Sequence, residues 1–234
     1  MSRNPPWQRF SQPMQTRHSK FWICLVVAGV LTLVSSNANA EGPLVDIQSV
    51  DPTIVVELRY AGSNNVVRHP LYPQGTRALV RPEVAAALTK AQTFLRRYQY
   101  GLKIWDAYRP VAVQTKLWQA SRNSNYVANP GVGVGSLHSW GIAVDATLVD
   151  SWNRPVTMPS DFDDFTPAAM WRYTGTSSEI LGHLRLLQYA MSRAGFWGMR
   201  TEWWHFTIAD WRKFLPQEAQ RSASVCGTRW NGKL

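Results

Sequence analysis

Two short segments about sixty residues apart, Ser136-Leu-His-Ser-Trp-Gly-Ile-Ala-Val-Asp145 and Glu202-Trp-Trp-His205, constrain this chain more than any other feature. Together they hold two imidazoles and two carboxylates, the residue types that bind a catalytic metal and work beside it. A catalytic zinc takes three protein ligands, nitrogen or carboxylate oxygen, and keeps a fourth position for water, whose pKa falls to about 7 on the ion. His138, Asp145 and His205 make such a set. Glu202 is then a spare carboxylate for moving the water's proton. Taken singly, each residue also has an ordinary role: a hydrogen-bonded structural histidine, a turn or cap aspartate, a solvated surface glutamate. Only a fold that lays the two segments side by side uses them jointly.

Residues 202–208 are rich in aromatic and β-branched types and read as a strand. Positions three apart on a regular strand face opposite ways, so Glu202 and His205 need a bend or bulge to converge. Residues 102–106 and 142–149 read as two further strands, and each of the three delivers a candidate residue near one end: Arg109 after the first, Asp145 in the second, His205 in the third. Residues 82–99 space Val84, Leu88, Ala91, Leu95 and Tyr98 as an amphipathic helix opened by Pro82. Residues 179–194 do the same through Ile180, Leu184, Leu187, Met191 and Ala194, closed by Gly195. The expected fold class is therefore α+β, a central, mainly antiparallel sheet flanked by helices, in one domain over 41–212 with a loosely attached tail over 213–234. The chain has twelve tryptophans, and Trp140, Trp197, Trp203 and Trp204 cluster around the proposed site. They are expected as core or pocket walls rather than glycan platforms.

Read together with Asp106-Ala-Tyr-Arg-Pro110, the two segments resemble, in order and separation, the VanX-type D-alanyl-D-alanine dipeptidases of the M15 zinc D,D-peptidases, over roughly residues 45–210. The resemblance implies a hedgehog-like α+β domain with one Zn2+ per chain on His138, Asp145 and His205. It implies Glu202 as general base and Arg109 as the residue holding and polarising the scissile carbonyl. Without it, Arg109 reads as a turn residue fixed by Pro110. It also implies that Tyr60, Ser136 and Asp163 line a small pocket and grip the dipeptide ends, with Asp163 selecting a free ammonium. Two departures lie near the substrate: Gly62-Ser-Asn-Asn-Val66 replaces the usual aromatic-bearing continuation, and Trp140 stands where other members can carry arginine. They leave the preferred dipeptide open. Two other functions fit the same residues, a D,D-carboxypeptidase or endopeptidase acting on longer wall peptides, and a non-catalytic wall-peptide or zinc-binding module. A binding module, however, has no need of a proton shuttle. The implied partner is a small D,D-dipeptide, and no stable protein partner is implied.

The N-terminus carries Arg3, Arg9, Arg17 and Lys20, then an apolar run over 21–34 and Asn37-Ala-Asn-Ala40, the pattern of a cleaved secretory signal over 1–40. The run's fourteen residues fall short of the roughly 18–20 that span a bilayer. A periplasmic or secreted protein starting near Glu41 is expected. Removing those four positive residues lowers the formal net charge from +10 to +6. The remaining positives are scattered and carry no nucleic-acid motif, which argues against nucleic-acid binding and leaves a weak attraction to acidic wall polymers. Cys24 lies in the signal, so Cys226 stands alone and no internal disulfide is expected.

Overall fold

Alternation along three strands sorts polar and apolar residues onto opposite faces of one sheet. The computed structural model describes residues 42–220; the signal segment over 1–40, Cys24 and Cys226 lie outside them. In chain order the elements are β1 (Val45–Asp46), α1 (Ile47–Val50), β2 (Val55–Val56), β3 (Leu79–Val80), α2 (Pro82–Arg96), β4 (Tyr100–Asp106), α3 (Val111–Ser121), β5 (Ala143–Asp150), α4 (Ser178–Arg193), β6 (Phe196–Gly198) and β7 (His205–Ile208). The main sheet runs β2-β4-β5-β7-β6, antiparallel except for the β2–β4 pair, and β1 and β3 form a separate antiparallel pair. The fold is α+β with a mainly antiparallel sheet, as the sequence predicts.

Register places Leu102 opposite Leu148, Ile104 opposite Ala146, and Val144 opposite Phe206 on one face. All six are buried, and they form a core with Val84, Leu88, Leu95, Leu184, Leu187 and Met191 of the two long helices. Here α2 packs on β4, and α4 packs on β5 and β6. Each fully buried aliphatic side chain is worth about 1.5–3 kcal/mol, so this face holds the sheet and frees the other for chemistry. The opposite face carries Lys103 opposite Thr147, Asp145 opposite His205, and Ala143 opposite Thr207.

The expected elements appear with specific differences. Helix α2 ends at Arg96 rather than 99, because the chain must reverse into β4 within a few residues. Gln99 makes that reversal at φ 63°, and Tyr98 turns outward to 54% exposure, leaving the core-facing stripe. Helix α4 starts where Ser177 accepts the Ile180 N–H through its hydroxyl, and Gly195 follows its end at φ 98°. Helix α3 has no counterpart in the sequence reading, since it buries only Val113, Gln114 and Leu117. The strand expected over 202–208 begins at His205, and residues 203–204 form a turn. The described part of the tail is not loose, as Leu215 is buried in the core. Trp140, Trp203 and Trp204 are buried as expected of walls, whereas Trp197 on edge strand β6 is 40% exposed.

Candidate active site

A bulge in β4 builds the row on which the site rests. The register between β4 and β5 shifts between Ile104 and Asp106, so Asp106 lies opposite Asp145, which in turn lies opposite His205. Three strands thus contribute three neighbouring polar residues on one face. His138 comes from a 3-10 turn, Leu137–Trp140, immediately before β5. The chain leaves that turn through Gly141 at φ 69°, where a Cβ would come within 2.6 Å of Leu44. The left-handed backbone favours glycine there, and a side chain would also have to displace Leu44.

The donor atoms converge as a metal requires. His138 Nε2 lies 3.1 Å from His205 Nδ1, and Asp145 Oδ1 lies 3.4 Å from the first and 3.1 Å from the second. Tetrahedral ligands bound at about 2.05 Å are about 3.3 Å apart, so the triangle has the dimensions of three corners of a zinc tetrahedron. The outward nitrogens are held as well. His138 Nδ1 lies 2.9 Å from the Ala107 carbonyl, which can only accept, so Nδ1 carries the proton and Nε2 keeps its lone pair. His205 Nε2 lies 3.2 Å from Thr207 Oγ1, two residues along the same strand face. Burial holds the His205 pKa below its ordinary value, partly offset by Asp145, which favours the neutral imidazole a metal needs. We expect Thr207→Val to weaken zinc binding by roughly 10–100-fold, measurable by competition with a chromogenic chelator. An unchanged affinity would mean that Thr207 does not orient His205.

The turn resolves how Glu202 and His205 converge. The His205 N–H donates to the Glu202 carbonyl at 3.3 Å, closing residues 202–205 into a turn ahead of β7. Glu202 is buried, and its Oε1 has no hydrogen-bond partner among the described residues. Burial, then the charges of Asp145 and Asp163, push its pKa well above the ordinary carboxylate range, with Arg109 opposing. Such a group needs a nearby positive charge or donor. Among the described residues Arg109 is the guanidinium that acts on the carboxyls of Asp106, Asp145, Asp163 and Glu202, and a divalent ion held by His138, Asp145 and His205 would add positive charge beside them.

Arg109 is fixed on several sides. Its Nε and Nη2 donate to Asp106 Oδ2 at 2.8 and 2.6 Å, and its Nη1 donates to Gln114 Oε1 at 2.8 Å. Nη2 also lies 3.6 Å from Asp145 Oδ2, and the guanidinium sits 4.7 Å over the Tyr60 ring. Tyr72 donates its hydroxyl to Asp106 Oδ1, and Gln114 donates to the Ala128 carbonyl at 2.7 Å. Asp106, Gln114, Tyr72 and Thr207 were missed in the sequence. Asp106 sits inside the quoted Asp-Ala-Tyr-Arg-Pro motif, three residues before Arg109, but its partners depend on the bulge.

Asp163 has φ 57° and accepts the Val66 N–H at 3.0 Å and the Tyr60 hydroxyl at 3.3 Å. Burial pushes its pKa up to about 7, with the Val66 N–H and Arg109 opposing. A cavity of about 280 Å3 is lined by Tyr60, Arg109, Ser136, His138, Asp145, Asp163, Glu202 and His205, so all eight metal, catalytic and substrate candidates face one space, whereas Trp140, Trp197, Trp203 and Trp204 do not line it. A larger cavity of about 760 Å3 lies along α2 and α4, but it is lined mainly by apolar and aromatic residues and offers no carboxylate or imidazole.

The family model for D-Ala-D-Ala dipeptidases of the M15 peptidases matches residues 40–223. The chain belongs to that family. It is 34% identical over 165 residues to a D-alanyl-D-alanine dipeptidase of Escherichia coli K12, covering 70% of this chain and 84% of that protein. It is 28% identical over 172 residues to one from Enterococcus faecalis V583, covering 66% and 85%. A solved VanY D,D-pentapeptidase in complex with Zn(II) is similar at TM-score 0.38 and 16% identity, over 65% of this chain and 82% of that one. The family match makes the chain a peptidase of the D-Ala-D-Ala dipeptidase family, and its His138–Asp145–His205 triangle has the donors and dimensions to hold a metal ion.

Proposed function

We propose that this protein hydrolyses D-alanyl-D-alanine, or a close D,D-dipeptide, to free D-amino acids. The observation that carries this reading is the convergence of a zinc-sized donor triangle, an unpartnered buried carboxylate and a fixed guanidinium on one small cavity. When bound by His138, Asp145 and His205, the ion supplies an acidified water and a Lewis acid. Glu202, which lines the same cavity with an unpartnered Oε1, would act as the base that accepts a proton from water and passes it to the leaving amine. Arg109, held by Asp106 and Gln114, presents a permanent planar cation to the negative charge developing on the scissile oxygen. Its prior fixation means little reorganisation during reaction.

In the same cavity Asp163, supported by Tyr60, receives the substrate ammonium, and Ser136 lines the wall. This favours a dipeptidase over a carboxypeptidase. A blocked or longer peptide has no ammonium at that distance from the cut, and it would leave Asp163 buried beside an uncharged group. The role also carries a pH dependence. Asp163 is ionised above about 7 and protonated below, so ammonium binding weakens as pH falls through that value. We expect KM for D-Ala-D-Ala to rise as pH drops from 8 to 6, and Asp163→Asn to have a high KM that is flat over the same range. A wild-type slope that persists in Asp163→Asn would remove Asp163 from this role.

The N-terminal pattern of basic residues, apolar run and Asn37-Ala-Asn-Ala40 supports action outside the inner membrane, after cleavage near Glu41. Scavenging or trimming of wall-derived dipeptides fits that location. Fractionation of the native protein to the cytoplasm, with its N-terminus intact, would overturn it.

A further inference from the structure

Two aromatic rings meet at the rim of the cavity. Tyr126 and Phe165 stack with centroids 4.4 Å apart and planes 16° from parallel. Both line the cavity that holds the metal ligands and Asp163. Both are half-buried, whereas His138, Asp145 and His205 are 2–7% exposed. The three ligand side chains are thus shut away from solvent, whereas the two rings touch both the cavity and solvent. They come from separate irregular segments, Tyr126 from the stretch between α3 and the turn bearing His138, and Phe165 from the stretch between β5 and α4.

Each ring is coupled to a different part of the site. Phe165 follows Asp163 by two residues, and Asp163 is tied down by the Val66 N–H and the Tyr60 hydroxyl. Tyr126 precedes Ala128 by two, and the Ala128 carbonyl accepts from Gln114, whose own carbonyl oxygen accepts from Arg109. The stack therefore joins the segment that carries the ammonium-binding carboxylate to the segment braced on the catalytic guanidinium. Phe165 lies two residues from Asp163 and both rings line the cavity, so the stack is close in sequence to the carboxylate proposed to hold the ammonium.

We infer that the Tyr126–Phe165 stack is a clasp that closes the cavity on its N-terminal side and sets the length limit of the substrate at two residues. This deepens the dipeptidase reading and rests on it. Asp163 selects by charge, and the clasp selects by room. Asp163 also disfavours the longer D-Ala-D-Ala-D-Ala, whose ammonium lies one residue farther from the cut, so the two are separated by changing the clasp while Asp163 stays as it is.

The test compares kcat/KM for D-Ala-D-Ala and for D-Ala-D-Ala-D-Ala in the zinc-loaded full-length protein and in Tyr126→Ala, Phe165→Ala and Tyr126→Phe. Tyr126→Leu and Phe165→Leu, which are smaller and cannot stack but stay apolar, serve if the alanine variants lose zinc or unfold. The expected result is a tripeptide-to-dipeptide ratio at least tenfold higher in the alanine or leucine variants, with Tyr126→Phe at the wild-type ratio because its ring still stacks. A variant that still cleaves the dipeptide and keeps the wild-type ratio would overturn the clasp alone. A zinc-loaded wild type inactive on both peptides would instead overturn the dipeptidase reading, and the clasp with it.

Discussion

Replacing Glu202 with glutamine is expected to lower kcat for D-Ala-D-Ala by roughly 10^3-fold, within the range that general acid–base groups contribute, while leaving one zinc per chain. Glutamine has nearly the same shape but cannot accept a proton from water at neutral pH. Glu202 is not one of the three converging donors; its backbone carbonyl holds the turn, and its Oε1 is the buried oxygen without a partner. The substitution leaves the turn intact, because the turn is closed through the main chain. It also removes a buried ionisable group whose neighbours Asp145 and Asp163 disfavour its charge, so stability should hold or rise. Metal content by atomic absorption, turnover and thermal unfolding of the same preparation check all three. A variant that loses zinc would make Glu202 a ligand, and one that keeps kcat would remove it as the base.

His138→Ala is expected to have the other large effect. Removing one of three ligands should cost more affinity than the roughly 10–100-fold typical of losing a second-shell partner, and turnover should fall with metal content. The loss extends to stability. An ion that binds only the folded state at a thousand times its Kd adds about 4 kcal/mol, which for a domain of this size raises the melting temperature by roughly 10 °C. The wild type should show that rise on zinc addition, and His138→Ala should show little of it. The Ala107 carbonyl, which accepts from His138 Nδ1, loses its partner in the same variant, so the metal-free variant should also melt below the metal-free wild type. Differential scanning fluorimetry with and without zinc makes the comparison, and an equal zinc-induced shift in both proteins would exclude His138 as a ligand.

The residues that touch the cavity were legible in the sequence because their chemistry is local and unusual. Two histidines, an aspartate at the end of an apolar run and a glutamate beside a histidine form a pattern with few other uses, and all eight candidates line one space. The supporting residues were not legible, because their roles depend on register. Asp106 faces Asp145 only because a bulge absorbs a residue of β4, and Thr207 supports His205 only because strand alternation returns to the same face two residues on. The period-3 conflict between Glu202 and His205 was readable as a problem, but its answer, a turn over 202–205, required the hydrogen bond to be seen. Helix α3 escaped notice because its buried stripe is only three residues, and the end of α2 was misplaced because a glutamine takes the left-handed position more often held by glycine. The large core helices and central strands, with long periodic patterns, came within a few residues of their observed bounds.

The most direct test is release of D-alanine from D-Ala-D-Ala by the purified protein, metal-stripped and then reloaded with one equivalent of zinc. No release is expected before reloading, turnover is expected after it, and an N-acylated tripeptide ending in D-Ala-D-Ala should be turned over little or not at all under the same conditions. Equal turnover of the blocked tripeptide would contradict the dipeptidase assignment, and zinc bound at His138, Asp145 and His205 without hydrolysis of either peptide would contradict catalysis altogether.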